Sequence, residues 1–179
     1  MRCSFFVAFA FVGLVACSSN DAPQIPVNKL PVDHSKENLI EYNRQYVEFE
    51  DDEIKHYIDS LHLKMDKTSE GIRYAIDNRG GGRYPVDGDV VKLTYSVVLL
   101  DGTSCPELTN RQTRAEMGKG KLPIGLEKAV SMLAAGGKGD FIIPALLAYG
   151  VSGRENCVPP YSPIRCSVFL NSIENKVIK

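Results

Sequence analysis

Residues 142–150 constrain the fold more than any other part of the chain, because an apolar, strand-like run there ends at Pro144 and leads to Tyr149 beside Gly150. Seven residues later the sequence CVPPYSP predicts a rigid corner, and a second β-like run follows at 164–173. Glycine and proline fix the backbone of such connections. A loop fixed in this way holds its side chains over one spot, and binding sites are often built on such loops.

The chain from about residue 68 onward alternates apolar and polar residues in the manner of antiparallel strands. Strands are predicted at 72–76, 91–99, 138–144 and 164–173, with a short one near 116–118. A helical stripe of Leu126, Ala129, Val130 and Leu133 ends at Gly136-Gly137. One short helix amid several antiparallel strands predicts the α+β class, with the sheet wrapped over the helix.

The motif Leu147-Ala148-Tyr149-Gly150, followed by Val158-Pro159-Pro160, resembles the signature of the FKBP-type peptidyl-prolyl isomerases, the immunophilins that bind tacrolimus and rapamycin. The resemblance covers roughly residues 68–173. It extends through Gly125-Leu126-Glu127, Leu133 and Gly136, and through a block from Gly88-Asp89-Val90-Val91 and Tyr95 to Asp101-Gly102. It implies an FKBP-like fold, an antiparallel β-sheet wrapped around one short helix, and prolyl isomerase activity.

Residues 1–16 are interpreted as a signal peptide, because Arg2 precedes an apolar run that is too short for a stable transmembrane helix. The run ends in Leu14-Val15-Ala16-Cys17, which resembles a bacterial lipobox; an ordinary signal peptide with a chance cysteine is the alternative. More than one acyl chain on Cys17 would make a stable anchor. We therefore expect a lipid-anchored protein of the bacterial envelope that faces the periplasm, at the outer rather than the inner membrane.

Residues 17–34 are predicted to be a tether, because their prolines favour an extended linker. A helical extension is predicted at 35–66, as one helix after Ser35 and a second helix capped by Asp51 or Asp52. Its aromatic positions either pack on the neighbouring domain or a dimer mate, or mark a partner-binding face. Residues 67–179 are then predicted to be the isomerase domain.

Composition and residue types argue against several functions. The net charge of −1 gives no electrostatic reason to expect nucleic acid. The region at 67–179 contains no histidine, which excludes Ser-His or Cys-His catalysis there. No cysteine or histidine spacing suggests a metal site, and no cofactor is expected.

An isomerase of X–Pro bonds needs none of these groups. Rotation about a peptide bond meets a barrier of ~18–20 kcal/mol, which amide resonance sets. Resonance places negative charge on the carbonyl oxygen, and water stabilises that charge. An apolar pocket that removes the water and fits the twisted amide lowers the barrier without covalent chemistry.

The resemblance assigns roles to four pocket residues. Tyr149 would donate its hydroxyl to a ligand carbonyl. Tyr95 and Val158 would line the walls, and Leu126 would form the floor, where tryptophan is common in the family. The alternative for both tyrosines is packing alone: Tyr149 as a core tyrosine with a satisfied hydroxyl, and Tyr95 as a strand residue under the helix.

Several positions depart from the family pattern. Cys105 and Pro106 stand in place of a usual Phe-Asp pair. Thr113 and Cys166 each stand in place of a phenylalanine. Together these changes imply that the apolar pocket is wider and binds its ligand more weakly.

Pro123 occupies a position whose backbone N–H usually donates to the ligand, and proline has no such donor. A shift of one residue in this loop would restore a donor at Ile124 or Leu122. Leu122 therefore joins the candidate catalytic residues. The rim of the pocket is predicted to comprise Cys105, Pro123, Cys157 and Cys166.

The five cysteines have separate predicted fates. Cys3 would be lost with the signal peptide, and Cys17 would carry lipid. In the family's sheet order a strand separates Cys105 from Cys166, whereas the loop with Cys157 leans over Cys105. The resemblance therefore implies a disulfide between Cys105 and Cys157, with Cys166 reduced and buried. Three free thiols remain the alternative.

Two functions share these fold signals and differ at the pocket. The first is a membrane-tethered prolyl isomerase that helps envelope proteins fold, with proline-containing polypeptides as clients. The second is the same fold used as a chaperone or interaction module with little or no turnover, which the missing aromatics favour. The third hypothesis is an unrelated α+β lipoprotein whose match to the family motif is coincidental.

Overall fold

The structure is a computed structural model that describes residues 36–174 of the 179-residue chain, with side chains from Ile40 onward. The predicted signal peptide at 1–16, the tether at 17–34 and the lipidation site Cys17 lie outside the described residues. Within residues 36–174, no helix is both long and apolar enough to cross a membrane.

The described residues form two α-helices, three short 3₁₀ turns and six strands. The helices are α1 (Lys36–Ser60) and α2 (Ile124–Ser131). The strands are β1 (Asp66–Lys67), β2 (Arg73–Asn78), β3 (Val90–Leu99), β4 (Arg111–Glu116), β5 (Lys138–Ile143) and β6 (Ile164–Glu174). They form one sheet in the order β1-β2-β5-β6-β3-β4, and every neighbouring pair is antiparallel.

The core lies between this sheet and α2. Because side chains alternate along a strand, Leu93, Tyr95 and Val97 of β3 all point to the buried face. From the other side α2 buries Leu126 and Val130. The predicted α+β class, with an antiparallel sheet around one short helix and a helix ahead of it, is confirmed.

The first turn of α2 packs closely against β5 and the turn that follows it. A side-chain carbon on Gly125 would collide with the methyl group of Ile143 and would lie 3.0 Å from the carbonyl oxygen of Leu147. Glycine at this position therefore lets the first turn of α2 approach the turn that follows β5. That turn leads directly to Tyr149.

The prediction of two helices in the extension is wrong, because α1 is one continuous helix of 25 residues. Asp51 lies inside it and caps nothing. Instead its carboxylate accepts hydrogen bonds from Lys67 and from the buried Arg73, both at 2.8 Å. An acidic residue that resembles a helix cap in the sequence is therefore a contact between α1 and β2.

Helix α1 is held to both sides of the loop that carries Tyr149. The buried Glu50 accepts a hydrogen bond from the backbone N–H of Ala145 at 2.7 Å. The Tyr46 hydroxyl donates to the carbonyl oxygen of Tyr161 at 3.0 Å, and the two rings meet edge to face. Of the predicted aromatic positions, Tyr46 therefore packs on the domain, whereas Tyr42 is 66% exposed.

Candidate active site

Four side chains from β3, α2 and the loops between β5 and β6 belong to the hydrophobic core cluster or pack against it. We define the cup as Tyr95, Leu126, Tyr149 and Val158. Tyr95 comes from β3, Leu126 from α2, and Val158 from the loop before β6, and all three are at most 5% exposed. Tyr149 is half-buried and packs against the same core cluster. The structure thus brings the four residues of the predicted pocket together.

Tyr149 sits between two short 3₁₀ turns, Ala145–Leu147 and Gly150–Ser152. Gly150 follows it with a φ of 62°, a left-handed conformation that glycine adopts without strain. Within residues 36–174 its hydroxyl has no hydrogen-bond partner. The hydroxyl is thus available to a ligand, unlike that of a satisfied core tyrosine.

The environment keeps the Tyr149 hydroxyl protonated. Burial raises the pKa of Tyr149 to about 12, and the nearby Tyr95 adds to the rise. The positive charges of Arg154 and Arg111 act in the opposite direction without cancelling it. At neutral pH the phenol is therefore a neutral O–H donor, the form that can hydrogen-bond a carbonyl oxygen.

The positions that lack family aromatics lie inside or beside the cup. Cys105 is 1% exposed and belongs to the same core cluster. Thr113 lies on β4 opposite Leu93, and its hydroxyl oxygen is buried with no partner among the described residues. Both positions therefore carry small side chains in place of phenylalanine.

Cys166 was predicted at the rim, but it lies in the interior. It occupies an inward-facing position of β6, between Val97 of β3 and Phe141 of β5, and has no exposed surface. It is a free thiol, and burial raises its pKa. Other side chains therefore lie between Cys166 and a ligand bound in the cup.

Pro123 is the residue immediately before α2, and its carbonyl accepts the backbone N–H of Glu127 at 3.0 Å. The first N–H of the helix consequently belongs to Ile124, whose side chain is 60% exposed. The first N–H groups of a helix have no partner within it. Leu122 lies outside the helix, and its side chain is 5% exposed and packs in the core.

A disulfide joins Cys105 to Cys157, with Cα atoms 5.0 Å apart. This agrees with the predicted pairing, and Cys166 is left free and buried, also as predicted. The bond ties the segment after β3 to the loop after Tyr149. It therefore closes one side of the cup covalently.

The charged part of the rim was missed by the sequence reasoning. The Arg154 guanidinium lies 5.9 Å from the centroid of the Tyr149 ring, within cation–π range. A terminal nitrogen of Arg154 lies 3.5 Å from a carboxylate oxygen of Glu107. One feature of the sequence could have indicated this pair. Glu107 follows Cys105 and Arg154 precedes Cys157, each within three residues, so a bond between the two cysteines brings the charged residues close together.

Comparison with known proteins agrees with this geometry. The profile of the family described as FKBP-type peptidyl-prolyl cis-trans isomerase matches residues 81–171, just over half of the chain. The match contains all of the cup and both bonded cysteines. The chain belongs to the FKBP-type peptidyl-prolyl cis-trans isomerase family.

Individual relatives match the same region. The chain is 30% identical over 109 residues to the FKBP-type 22 kDa peptidyl-prolyl cis-trans isomerase of Escherichia coli strain K12, a match that covers 61% of this chain and 53% of that protein. It is 32% identical over 111 residues to the FKBP-type peptidyl-prolyl cis-trans isomerase FkpA of the same strain, covering 60% and 39%. The chain thus spans about half the length, or less, of these curated relatives.

Solved structures share the fold. The crystal structure of FkpA from Escherichia coli superposes with a TM-score of 0.62 at 22% identity, covering 78% of this chain and 66% of that one. A peptidyl-prolyl cis-trans isomerase from Pseudomonas syringae pv. tomato superposes with a TM-score of 0.59 at 19% identity, covering 74% and 96%. At these identities the likeness concerns the fold.

Proposed function

We propose that this protein catalyses cis–trans isomerisation of X–Pro bonds in polypeptide clients. The observation that carries the proposal is the Tyr149 hydroxyl, which has no partner among residues 36–174 and whose side chain packs against the apolar cluster with Leu126 and Val158. Family membership supports the same conclusion. The described residues include no group of three or more potential metal ligands, and the proposed reaction needs no metal or cofactor.

The cup would act on the amide without bonding to it covalently. Buried Tyr95, Leu126 and Val158 exclude water from one side of the X–Pro bond, which favours the twisted amide over the planar, solvated one. The Tyr149 hydroxyl would hold a client carbonyl in place. Because Pro123 cannot donate, the N–H of Ile124 would be the second donor.

Substitution of Tyr149 by phenylalanine tests the proposal. A hydrogen bond contributes about 0.5–1.5 kcal/mol net, so Tyr149→Phe is expected to lower kcat/KM for a prolyl peptide about two- to tenfold. Two-dimensional exchange NMR measures the rate directly. Tyr161→Phe is the matched control, because Tyr161 follows the same loop and its ring contact with Tyr46 would be retained.

A second function, a chaperone or interaction module with little turnover, is favoured by two observations. The floor of the cup is nearly closed, since Leu126 is only 2% exposed. Helix α1 also presents apolar side chains to solvent, among them Phe49 at 69% and Val47 at 50% exposure. A wild-type exchange rate equal to that of the free peptide, with suppression of client aggregation that Tyr149→Phe leaves intact, would select this function over the isomerase.

We also propose the location and organisation of the whole chain. Residues 1–16 would direct export, Cys17 would carry lipid, and residues 17–34 would hold a helical extension (35–66) and an isomerase domain (67–179) away from the membrane. The support is the lipobox-like Leu14-Val15-Ala16-Cys17 and the prolines that follow it. The clients would then be envelope proteins that fold in the periplasm, at the outer membrane rather than the inner.

A further inference from the structure

We propose that Arg154 and Arg111 lie at the solvent-facing entrance of the cup, which we call its mouth. There their positive charges favour X–Pro bonds that have an acidic residue next to the proline. This inference rests on the proposed isomerase site and names its substrate class. An apolar cup alone would discriminate between clients by size and shape. Two guanidinium groups at its entrance would add selection by charge.

The backbone positions Arg111 at the mouth. It is the first residue of β4 and pairs directly with Tyr95 of the cup. Because side chains alternate along a strand, Arg111 shares a face with Ala115, which is buried in the core. Arg111 therefore stands at the exposed end of the core face, and within residues 36–174 no ion pair engages it.

Arg154 lies on the other side of Tyr149. Its guanidinium stacks over the Tyr149 ring, and its side chain is one-third exposed. Its Nε–H is buried with no partner among the described residues. An unsatisfied donor carries a free-energy cost, so the side chain gains by turning toward an incoming carboxylate.

The charges at the mouth do not cancel. Glu107 lies 3.5 Å from Arg154, but its side chain is 58% exposed, so water weakens that pair. Pro106 carries no charge at the position where the family usually has an aspartate. Both arginines act to lower the pKa of Tyr149, so their positive charge is felt at the hydroxyl that would bind a client.

Matched peptides test the inference. One pair carries Glu or Gln before the proline, a second pair carries Glu or Gln after it, and a leucyl-prolyl peptide serves as the reference. Exposed charge pairs of this kind correspond to about two- to fivefold in kcat/KM. We expect the Glu peptide of at least one pair to exceed its Gln partner by that factor. The ratio should approach one in 1 M salt, where the screening length is about 3 Å.

Substitution of each arginine tests whether the preference for Glu peptides comes from these two side chains. Arg154→Gln and Arg111→Gln should each lower the Glu-to-Gln ratio. Arg114→Gln should leave the ratio as in the wild type, because Arg114 lies on the same strand but pairs with Glu174. Thermal unfolding verifies that every variant is folded before its ratio is compared.

The outcomes separate this inference from the isomerase proposal. If the leucyl-prolyl peptide is accelerated but both Glu-to-Gln ratios equal one, or if neither arginine variant changes them, the inference is overturned and the isomerase proposal stands. Fluorescence anisotropy of the same labelled peptides measures binding without turnover. If none of the peptides is accelerated yet Glu peptides bind more tightly through Arg154 and Arg111, the isomerase proposal fails and the charge selection stands.

Discussion

The Glu50 carboxylate accepts a hydrogen bond from the backbone N–H of Ala145 at 2.7 Å, across 95 residues of sequence. Ala145 begins the turn that leads to Tyr149, and Glu50 is only 4% exposed. Helix α1 is thus fastened to the backbone that positions the Tyr149 hydroxyl. The extension contributes to the site through this contact, although α1 supplies none of the cup residues.

The contact predicts a specific pH dependence of stability. Burial raises the pKa of Glu50, although the hydrogen bond from Ala145 opposes the rise. Between the ordinary glutamate pKa and this raised value, the folded state binds more protons than the unfolded state. The contribution of Glu50 to stability is therefore fully present below the ordinary value and is lost as pH rises through the raised one.

Glu50→Gln isolates that contribution. The amide oxygen can still accept the Ala145 N–H, but no charge is buried. We expect the variant to lose less free energy of unfolding than wild type as pH rises above the ordinary glutamate pKa, as measured by urea denaturation. Glu48→Gln on the exposed side of α1 serves as the control, because Glu48 does not contribute to the raised pKa of Glu50. Parallel pH profiles for wild type and Glu50→Gln would contradict the prediction.

The sequence predicted the elements whose residues carry a hydrophobic period. The bounds of β3, β5 and β6 lie within a residue of their predicted positions because apolar and polar side chains alternate along them. Strand β4 was mostly missed because an edge strand such as RQTRAE is nearly all polar. Its residues are held in the sheet by pairing with β3, and the hydrophobic pattern of the sequence does not reveal such pairing.

The site was predictable only where a family motif fixes it. The motif around Tyr149 and Val158 located the cup, and the resemblance gave the partner of Cys105. The pair of Arg154 with Glu107 depends on how two polar loops approach each other, and polar loops have no periodic signal. Asp51 illustrates the same problem, since its partners Lys67 and Arg73 follow 16 and 22 residues later.

Cys17→Ser is expected to release the protein from the membrane. A hydroxyl at this position cannot accept the lipid that the lipobox-like sequence predicts on the cysteine thiol. Fractionation of cells, together with incorporation of labelled palmitate, measures the change. Cys3→Ser is the control, because Cys3 would leave with the signal peptide. Membrane association of the Cys17→Ser protein, with no palmitate in wild type, would contradict lipid attachment.

Leu126→Trp is expected to raise the affinity for tacrolimus while it lowers stability. A larger aromatic floor would extend the apolar contact area of the cup. Because Leu126 is 2% exposed in a packed core, the larger side chain should cost about 1–3 kcal/mol of stability. Isothermal titration and thermal unfolding measure the two effects. Leu133→Trp, in the same core but outside the cup, should destabilise without raising affinity, and unchanged affinity in folded Leu126→Trp would contradict the floor assignment.

Loss of the Cys105–Cys157 bond is expected to lower both stability and activity. The bond spans 52 residues, and the chain-entropy treatment of a loop of this length gives on the order of 4 kcal/mol. For a domain of this size that corresponds to a fall in Tm on the order of 10 °C. Activity should fall as well, because the bond joins the segment with Glu107 to the loop with Arg154, and both lie at the mouth of the cup.

Alanine at both positions avoids burying a polar hydroxyl where Cys105 was. The Cys105→Ala/Cys157→Ala protein and wild type treated with dithiothreitol should show the same lowered Tm and the same lowered kcat/KM. Cys166→Ala provides the control: it removes the free buried thiol and leaves the bond in place, so it should remain sensitive to dithiothreitol. Peptide mapping without reductant identifies the bonded pair. A linked peptide that contains Cys166, or a wild-type protein whose Tm does not respond to dithiothreitol, would contradict a stabilising bond between Cys105 and Cys157.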